Sequence, residues 1–195
     1  MSNILVLGAN GSIARVAIDL FLKETDAMLT LYLRNSRRLQ SLESERVKVV
    51  EGDVLDTAKL TEAMEGQNVV YANLAGDMEP MAKSIVSAMH QAGVRRLIFI
   101  SSMGIYGEVP GERYRSILDP YRDSAKVVEE SDLDYTVLRP GWFTNANEID
   151  YETTLKGEPF KGHDVSRRSL ASLIVKVATS QGLHIRESVG VNKPV

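Results

Sequence analysis

The stretch Ile4-Leu5-Val6-Leu7-Gly8-Ala9-Asn10-Gly11-Ser12-Ile13-Ala14 decides the fold, because an apolar strand runs through two glycines directly into a helical pattern. Gly8 can adopt the positive φ that a tight strand-to-helix turn requires. Gly11 lacks a Cβ and leaves room for a phosphate beside the first helical turn, whose N–H groups have no partner within the helix. The turn is therefore predicted to bind a phosphate through Gly8, Asn10, Gly11, Ser12 and Ile13. Its G-x-x-G-x-x-A spacing departs from the G-x-G-x-x-G dinucleotide pattern, so a βα turn without a ligand is the alternative.

The composition of the 195 residues indicates one globular domain, 1–195, with 44% hydrophobic and 25% charged residues. A net charge of −3 gives no electrostatic basis for nucleic-acid binding, and no apolar run approaches the ~20 residues of a membrane span. The chain has no cysteine, and its three histidines are far apart in sequence, so we expect neither disulfides nor a metal site. No secretory signal precedes the first strand, which favours a cytoplasmic location.

Apolar segments alternate with helical patterns along the chain. After the first strand, the sequence predicts strands at 27–33, 47–51, 69–74, 96–101 and 134–139, with helices such as 57–64 between them. This alternation predicts an α/β fold with a doubly wound parallel sheet, in which ligands bind outside the carboxyl ends of the strands. The candidate binding residues all follow strand ends, which favours one binding site over a set of unrelated turns.

Arg34 follows the second predicted strand, at the position that faces the adenosine ribose in a dinucleotide-binding fold. An acidic residue there accepts the ribose 2′-hydroxyl, whereas a guanidinium suits a 2′-phosphate, and Arg37 and Arg38 lie close by. These residues favour NADP over NAD, with a solvated basic turn as the alternative. The next two strand ends extend the predicted cofactor site through Asp53, Val54, Asn73, Leu74 and Ala75.

The second half of the chain carries the candidate catalytic residues. Ser101 and Ser102 end a strand, and a long loop follows, of a length that is usually functional or mobile. Asp119 is predicted to be the N-cap of the next helix, with Pro120 at its first position. This helix carries Tyr121, Arg122 and Lys126.

Four motifs together resemble the short-chain dehydrogenase/reductase superfamily, and within it the atypical, NmrA-like NAD(P)H-binding branch. They are Gly8-x-x-Gly11-x-x-Ala14, the stretch 101–107, Lys126 on the next helix, and Arg139-Pro140-Gly141. The resemblance covers nearly the whole chain, including 164–171, which resembles the start of that branch's last long helix. It implies that Pro140 and Gly141 contact the nicotinamide carboxamide, that Lys126 bonds the nicotinamide ribose, and that Ser102 orients the substrate. Ser101 and Trp142 complete the predicted cofactor site.

One position departs from the superfamily pattern. The proton-donating tyrosine stands four residues before the lysine in that superfamily, and Arg122 occupies this position here. Tyr121 lies five residues before Lys126, which turns the two side chains ~140° apart on a helix instead of ~40°. We therefore expect Arg122 to stabilise negative charge electrostatically. Flavins and quinones tolerate the loss of a proton donor, because their reduced anions are delocalised.

These observations predict an NADPH-dependent oxidoreductase that transfers hydride to a flavin, a quinone or a similar conjugated acceptor, with Ser102, Lys126 and Arg122 as catalytic residues. A non-catalytic NADP-binding redox sensor is the alternative, and a sugar-type epimerase or dehydratase is less favoured. The partner is a small molecule. The segment at about 141–165 is too short for a substantial substrate domain, so a second subunit could complete the pocket.

Overall fold

A central sheet of eight strands organises the computed structural model, which describes residues 1–195. The strands of the whole chain are β1 (Asn3–Leu7), β2 (Met28–Leu33), β3 (Val47–Glu51), β4 (Val69–Ala72), β5 (Arg96–Ile100), β6 (Asp134–Pro140), β7 (Trp142–Thr144), β8 (Glu152–Leu155), β9 (Asp164–Ser166) and β10 (Glu187–Asn192). The helices are α1 (Ser12–Glu24), α2 (Thr57–Met64), α3 (Met78–Ala92), α4 (Asp119–Glu129) and α5 (Arg167–Thr179), with 3-10 turns at Ser36–Arg38, Gln40–Leu42 and Ser116–Leu118.

The strand order is β3-β2-β1-β4-β5-β6-β10-β8, and every neighbouring pair is parallel except β10 with the edge strand β8. The order reverses direction between β1 and β4, which creates a crevice at their carboxyl ends. The predicted α/β doubly wound fold is confirmed, although the sequence predicted neither the parallel strand β10 nor the antiparallel edge strand β8. A separate pair, β7 with β9, lies beside this sheet.

Two buried layers hold the sheet between its helices. One layer packs α1 and α5 against one face, and the other packs α2, α3 and α4 against the opposite face. Residues 4–7 of β1 are completely buried, as expected for a central parallel strand covered on both faces. No helix combines the length and the apolar character that crossing a bilayer requires.

The carboxyl ends of the strands differ from the predicted bounds in a way that matters for the site. The predicted strands 69–74 and 96–101 end at Ala72 and Ile100, so Asn73, Leu74 and Ser101 lie beyond the ladder. Asn73 N still donates to Leu7 O at 3.0 Å and Ser101 N to Leu138 O at 2.8 Å, so these residues extend the strand ends up to the crevice.

The start of α4 corrects a sequence prediction. Asp119 has helical dihedrals, φ −53° and ψ −47°, and Leu118 occupies the N-cap position, which places Pro120 one residue further into the helix than predicted. The Asp119 carboxylate accepts a hydrogen bond from the Tyr114 hydroxyl and pairs with Arg122, and it does not cap a backbone N–H.

Candidate functional site

The turn between β1 and α1 is shaped by the side chain and backbone of Asn73. Gly8 has φ +70°, and a Cβ there would lie 2.0 Å from the Asn73 carbonyl oxygen. A Cβ on Gly11 would lie 2.2 Å from Asn73 Nδ2. Both glycines are therefore required for the close approach of the β4 end to this turn, whether or not a phosphate is bound.

The N-terminus of α1 has the donor groups that a pyrophosphate needs. No side chain caps it, and its first turn contains no acidic residue. The first N–H group of α1 with a hydrogen bond of the helical type is that of Arg15, which donates to Gly11 O at 3.0 Å. The N–H groups of Ser12, Ile13 and Ala14 precede it and have no acceptor within the helix. These donors, at the positive end of the helix dipole, fit the phosphates of a dinucleotide.

A cavity of about 390 Å³, which we call the polar cavity, extends from this turn toward β2 and β3. Arg34 and Arg38 line it and make no side-chain hydrogen bond or ion pair, whereas Arg37 does not line it. Of the predicted cofactor residues, the following line the polar cavity: Gly8, Asn10, Gly11, Arg34, Asp53, Val54, Asn73, Leu74 and Ala75.

Tyr32 supports the floor of the polar cavity. Its hydroxyl donates to the Asp53 carbonyl oxygen at 3.0 Å, and a Cβ on Gly52 would come within 2.2 Å of that hydroxyl. Burial, reinforced by the charges of Asp56 and Asp53, raises the pKa of Tyr32 to about 12, so the hydroxyl stays a donor at neutral pH. One carboxylate oxygen of Asp53 accepts from Leu55 N at 2.9 Å, which forms an Asx turn before α2.

A second cavity, of about 380 Å³, lies on the other side of Asn73 and Leu74, which line both cavities. We call it the apolar cavity, because aliphatic and aromatic side chains form much of its wall. Residues of the loop 102–118, Tyr121 and residues 140–143 enclose it. The predicted cofactor residues Ser101, Pro140, Gly141 and Trp142 all line the apolar cavity.

Ser101 and Ser102 differ in how their hydroxyls are used. Ser101 is buried, and its hydroxyl donates to the Tyr121 carbonyl oxygen at 3.2 Å, which anchors α4 to the end of β5. The Ser102 hydroxyl donates to its neighbour's carbonyl, Met103 O, at 3.1 Å, and keeps its lone pairs free. Tyr121 also lines the cavity, and its hydroxyl makes no hydrogen bond within the chain. Ser102 and Tyr121 are thus the side-chain hydroxyls available to an acceptor from β5 and α4.

The structure does not bring Arg122 or Lys126 to either cavity. Lys126 is 70% exposed, and its Nζ lies 3.8 Å from the Glu130 carboxylate. Arg122 contacts Asp119 at 3.0 Å and Asp123 at 2.8 Å, and its hydrogen bond to Asp123 raises the pKa of the guanidinium. The helical angle explains the result, because the face of α4 that carries Tyr121 is turned away from Lys126. The predicted catalytic roles of Arg122 and Lys126 therefore have no geometric basis in this structure.

The loop after β5 is held by a buried ion pair. Arg139, completely buried on β6, pairs with Glu108, whose carboxylate also accepts from Gly104 N at 3.0 Å and Tyr106 N at 2.9 Å. The Tyr106 hydroxyl donates to Glu129 and contacts Ser188 Oγ at 2.9 Å, and burial raises its pKa. Tyr106 is consequently fixed behind the loop and does not line the apolar cavity.

The opposite wall of the apolar cavity follows β6. A Cβ on Gly141 would lie 2.3 Å from His163 O, because β9 pairs with β7 at this point. Trp142 and Phe143 are 52% and 39% exposed, although both line the cavity. The segment predicted at about 141–165 therefore contributes only its first residues to the wall, and the loop 102–118 supplies the largest part of the lining. The sequence reading did not foresee this division.

Arg167, the first residue of α5, is a candidate cofactor contact that the sequence reading did not identify. Its Nε lies 3.3 Å from Ser12 Oγ, and Nη1 donates to Asn145 Oδ1 at 2.8 Å and Thr144 O at 3.3 Å. Its guanidinium lies over the Phe143 ring at 5.3 Å, and no carboxylate neutralises it. The cation therefore stands beside the positive end of α1, which favours an anion between them. Arg167 and Ser12 are far apart in the sequence, and they come together only because α5 packs on α1.

Two solved structures share the whole fold. A Rossmann-fold NAD(P)-binding family protein from Shigella flexneri is 42% identical, with a TM-score of 0.88 over 100% of this chain and 94% of that one. A short-chain dehydrogenase/reductase from Veillonella parvula, solved in complex with NADP, is 32% identical, with a TM-score of 0.90 over 99% of this chain and 95% of that one.

Curated relatives are more distant. Quinone oxidoreductase 2 of Escherichia coli K12 is 25% identical over 145 residues, 72% of this chain, and the chain spans about half of that relative, 49%. A Bacillus subtilis strain 168 protein named as the uncharacterized sugar epimerase YhfK is 26% identical over an alignment that covers 94% of this chain and 94% of that protein.

A family model described as NAD(P)H-binding matches residues 8–181, from the first glycine of the β1–α1 turn to just beyond α5. The predicted superfamily and the binding of NAD(P) are thereby confirmed. The chain belongs to the NAD(P)H-binding oxidoreductase family and is an atypical member of the short-chain dehydrogenase/reductase superfamily.

Proposed function

We propose that this protein is an NADPH-dependent reductase that delivers hydride to a flavin, a quinone or a similar planar conjugated acceptor. The observation that supports it best is the pair of cavities that meet at Asn73 and Leu74. One offers two arginines without side-chain partners for a 2′-phosphate, and the other offers a chamber whose wall is half hydrophobic, large enough for a planar ring. An adenosine and a nicotinamide end can thus occupy neighbouring sites along the crevice at the strand ends.

The chain's residues would hold the cofactor in three places. The N–H groups at the start of α1, with Arg167 beside them, would bind the pyrophosphate. Arg34 and Arg38 would bind the 2′-phosphate through charge-assisted hydrogen bonds, which gives NADPH the advantage over NADH. Pro140 and Gly141 would lie against the nicotinamide end. When bound, NADPH supplies the hydride.

The apolar cavity supports hydride transfer mainly by placement. Its aliphatic and aromatic wall excludes water and holds a flat ring, and fixing the two reactants in contact can supply several kcal/mol of the barrier reduction. The acceptor gains one hydride and one proton. Ser102 would orient its carbonyl oxygen. The proton comes from solvent or from the Tyr121 hydroxyl, because the reduced flavin or quinone anion is delocalised and needs little acid assistance.

An acceptor panel tests the proposal. Purified protein with NADPH is assayed by the loss of NADPH absorbance on addition of flavins, quinones and dicarbonyls. We expect flavins or quinones to be reduced and dicarbonyls to react poorly, because a carbonyl product needs a proton at a localised alkoxide. Tight NADPH binding without oxidation by any member of the panel would contradict the proposal and favour the redox sensor.

A further inference from the structure

The arginines that make no side-chain hydrogen bond and no ion pair fall into two groups in the fold. Arg34, Arg37 and Arg38 form one group, on the turn after β2, where Arg34 and Arg38 line the polar cavity and Arg37 does not. Arg113 and Arg115 form the other, and both line the apolar cavity. The remaining arginines are all bonded to carboxylates, carbonyls or amide side chains, as in the contacts of Arg46, Arg96 and Arg139. Partnerless guanidinium groups are thus confined to the two ends of the crevice.

Arg113 and Arg115 stand at the mouth of the apolar cavity. Together with Glu112 and Trp142 they also line an adjoining open depression, so both arginines lie where the apolar cavity meets the surface. Glu112 adds one negative charge to this rim, without forming an ion pair with either arginine. The rim therefore keeps a net positive charge in a chain whose overall charge is −3.

The loop that carries these arginines is fastened before them and between them. Before them, Glu108 binds the backbone of Gly104 and Tyr106 and pairs with buried Arg139. Between them, the Tyr114 hydroxyl donates to Asp119 Oδ1 at 2.7 Å, and the Arg122 guanidinium lies over the Tyr114 ring at 5.5 Å. These contacts hold the rim, and with it both arginines, against the cavity that Tyr114 and Trp142 help to enclose.

We propose that the acceptor is an anion: a planar conjugated ring that carries a phosphate or carboxylate on a side arm. This inference rests on the proposed function. The ring occupies the apolar cavity, and the anionic arm reaches the entrance, where Arg113 and Arg115 bind it. A guanidinium matches the planar geometry of a carboxylate or phosphate and forms strong charge-assisted hydrogen bonds with it. The cofactor's 2′-phosphate does not compete for this site, because Arg34 and Arg38 line the other cavity.

Riboflavin and flavin mononucleotide are a matched pair of probes, because they share the ring and differ by one phosphate. Their dissociation constants are measured by flavin fluorescence quenching on the protein saturated with NADP⁺, where no turnover occurs. We expect flavin mononucleotide to bind about tenfold more tightly than riboflavin at low salt. The difference should shrink as salt screens the rim charges.

The Arg113→Gln/Arg115→Gln double variant should lose this preference by weakening flavin mononucleotide alone, with riboflavin binding unchanged. A Lys48→Gln/Lys176→Gln variant removes the same charge from exposed positions that line neither described cavity, and it should keep the preference. Three results would overturn the inference. They are equal affinity of the protein for the two flavins, an equal loss of affinity for both flavins in the arginine variant, and no binding of either flavin. Phosphate-selective binding without NADPH oxidation would instead contradict the proposed reaction and leave the anion site standing.

Discussion

Arg34 lies at the carboxyl end of β2 with no side-chain partner, on the wall of the polar cavity. Because its charge is not used within the chain, its replacement should affect cofactor binding more than folding. We predict that Arg34→Asp weakens NADPH binding about tenfold or more, as expected for the loss of a charge-assisted contact and the gain of a repulsive carboxylate, and changes NADH binding little. Titration of both cofactors measures this. Arg37→Asp is the matched control, because Arg37 does not line the cavity, and an unchanged NADPH preference in Arg34→Asp would contradict the assignment.

Arg167 bridges the start of α1 and the segment after β7 through Ser12 and Asn145. If it binds the pyrophosphate, Arg167→Gln should weaken NADP⁺ about tenfold. Adenosine 2′,5′-bisphosphate has a single 5′-phosphate in place of the pyrophosphate of NADP⁺. Its binding should be much less affected. Isothermal titration with the two ligands separates the effects. An equal loss for both ligands would mean that Arg167 supports the fold of the site and does not contact the pyrophosphate.

Two of the predicted catalytic residues, Ser102 and Lys126, lie in different surroundings. Ser102 lines the apolar cavity, whereas Lys126 pairs with Glu130 in solvent. We predict that Ser102→Ala raises the KM for the acceptor about tenfold, through the loss of one hydrogen bond to it, and that Lys126→Met leaves kcat/KM within about twofold. Steady-state kinetics with a flavin or quinone acceptor distinguish the two. A large loss of activity in Lys126→Met would restore the role that the resemblance implied.

At the scale of elements, the buried pair of Arg139 and Glu108 joins β6 to the loop that forms the cavity wall. Glu108→Gln would leave the Arg139 guanidinium buried without a counter-charge, which costs about 3–5 kcal/mol of the free energy of unfolding. Urea denaturation measures the change. Glu130→Gln removes the partner of exposed Lys126 and should cost less than about 1 kcal/mol. Similar stabilities for the two variants would contradict the idea that the buried pair fastens the loop.

Helix α4 carries Tyr121 and Lys126, for which the spacing and the resemblance gave different expectations. The sequence spacing predicted that Tyr121 and Lys126 face different directions, and the structure places Tyr121 at the cavity and Lys126 in solvent. The motif assigned Lys126 to the nicotinamide ribose, because it compares residues by order and not by angle. The N-cap prediction failed for a related reason: Asp119 is engaged by Tyr114 and Arg122, two contacts that local sequence preferences do not include.

For the whole molecule, periodicity was sufficient to predict six of the eight strands of the sheet, and the residues at the strand ends were sufficient to predict the polar cavity. Each of these features depends on neighbouring residues, as in the sequence from β1 through Gly8 and Gly11 to α1. The remaining features depend on contacts between distant segments. Arg167 reaches Ser12 only because α5 packs on α1, and the loop 102–118 becomes a cavity wall only because Glu108 finds Arg139 on β6. No local pattern encodes either contact.

Direct hydride transfer between a cofactor and an acceptor in adjoining cavities is the central claim. Single-turnover oxidation of NADPH by a reactive flavin or quinone, compared with NADPH that carries deuterium at the transferred position of nicotinamide C4, measures that transfer. We predict that the protein accelerates the oxidation and that deuterium slows it, since the C–H bond breaks in the step that the cavity assists. An oxidation no faster than without protein, or one of unchanged rate with deuterium, would contradict the account.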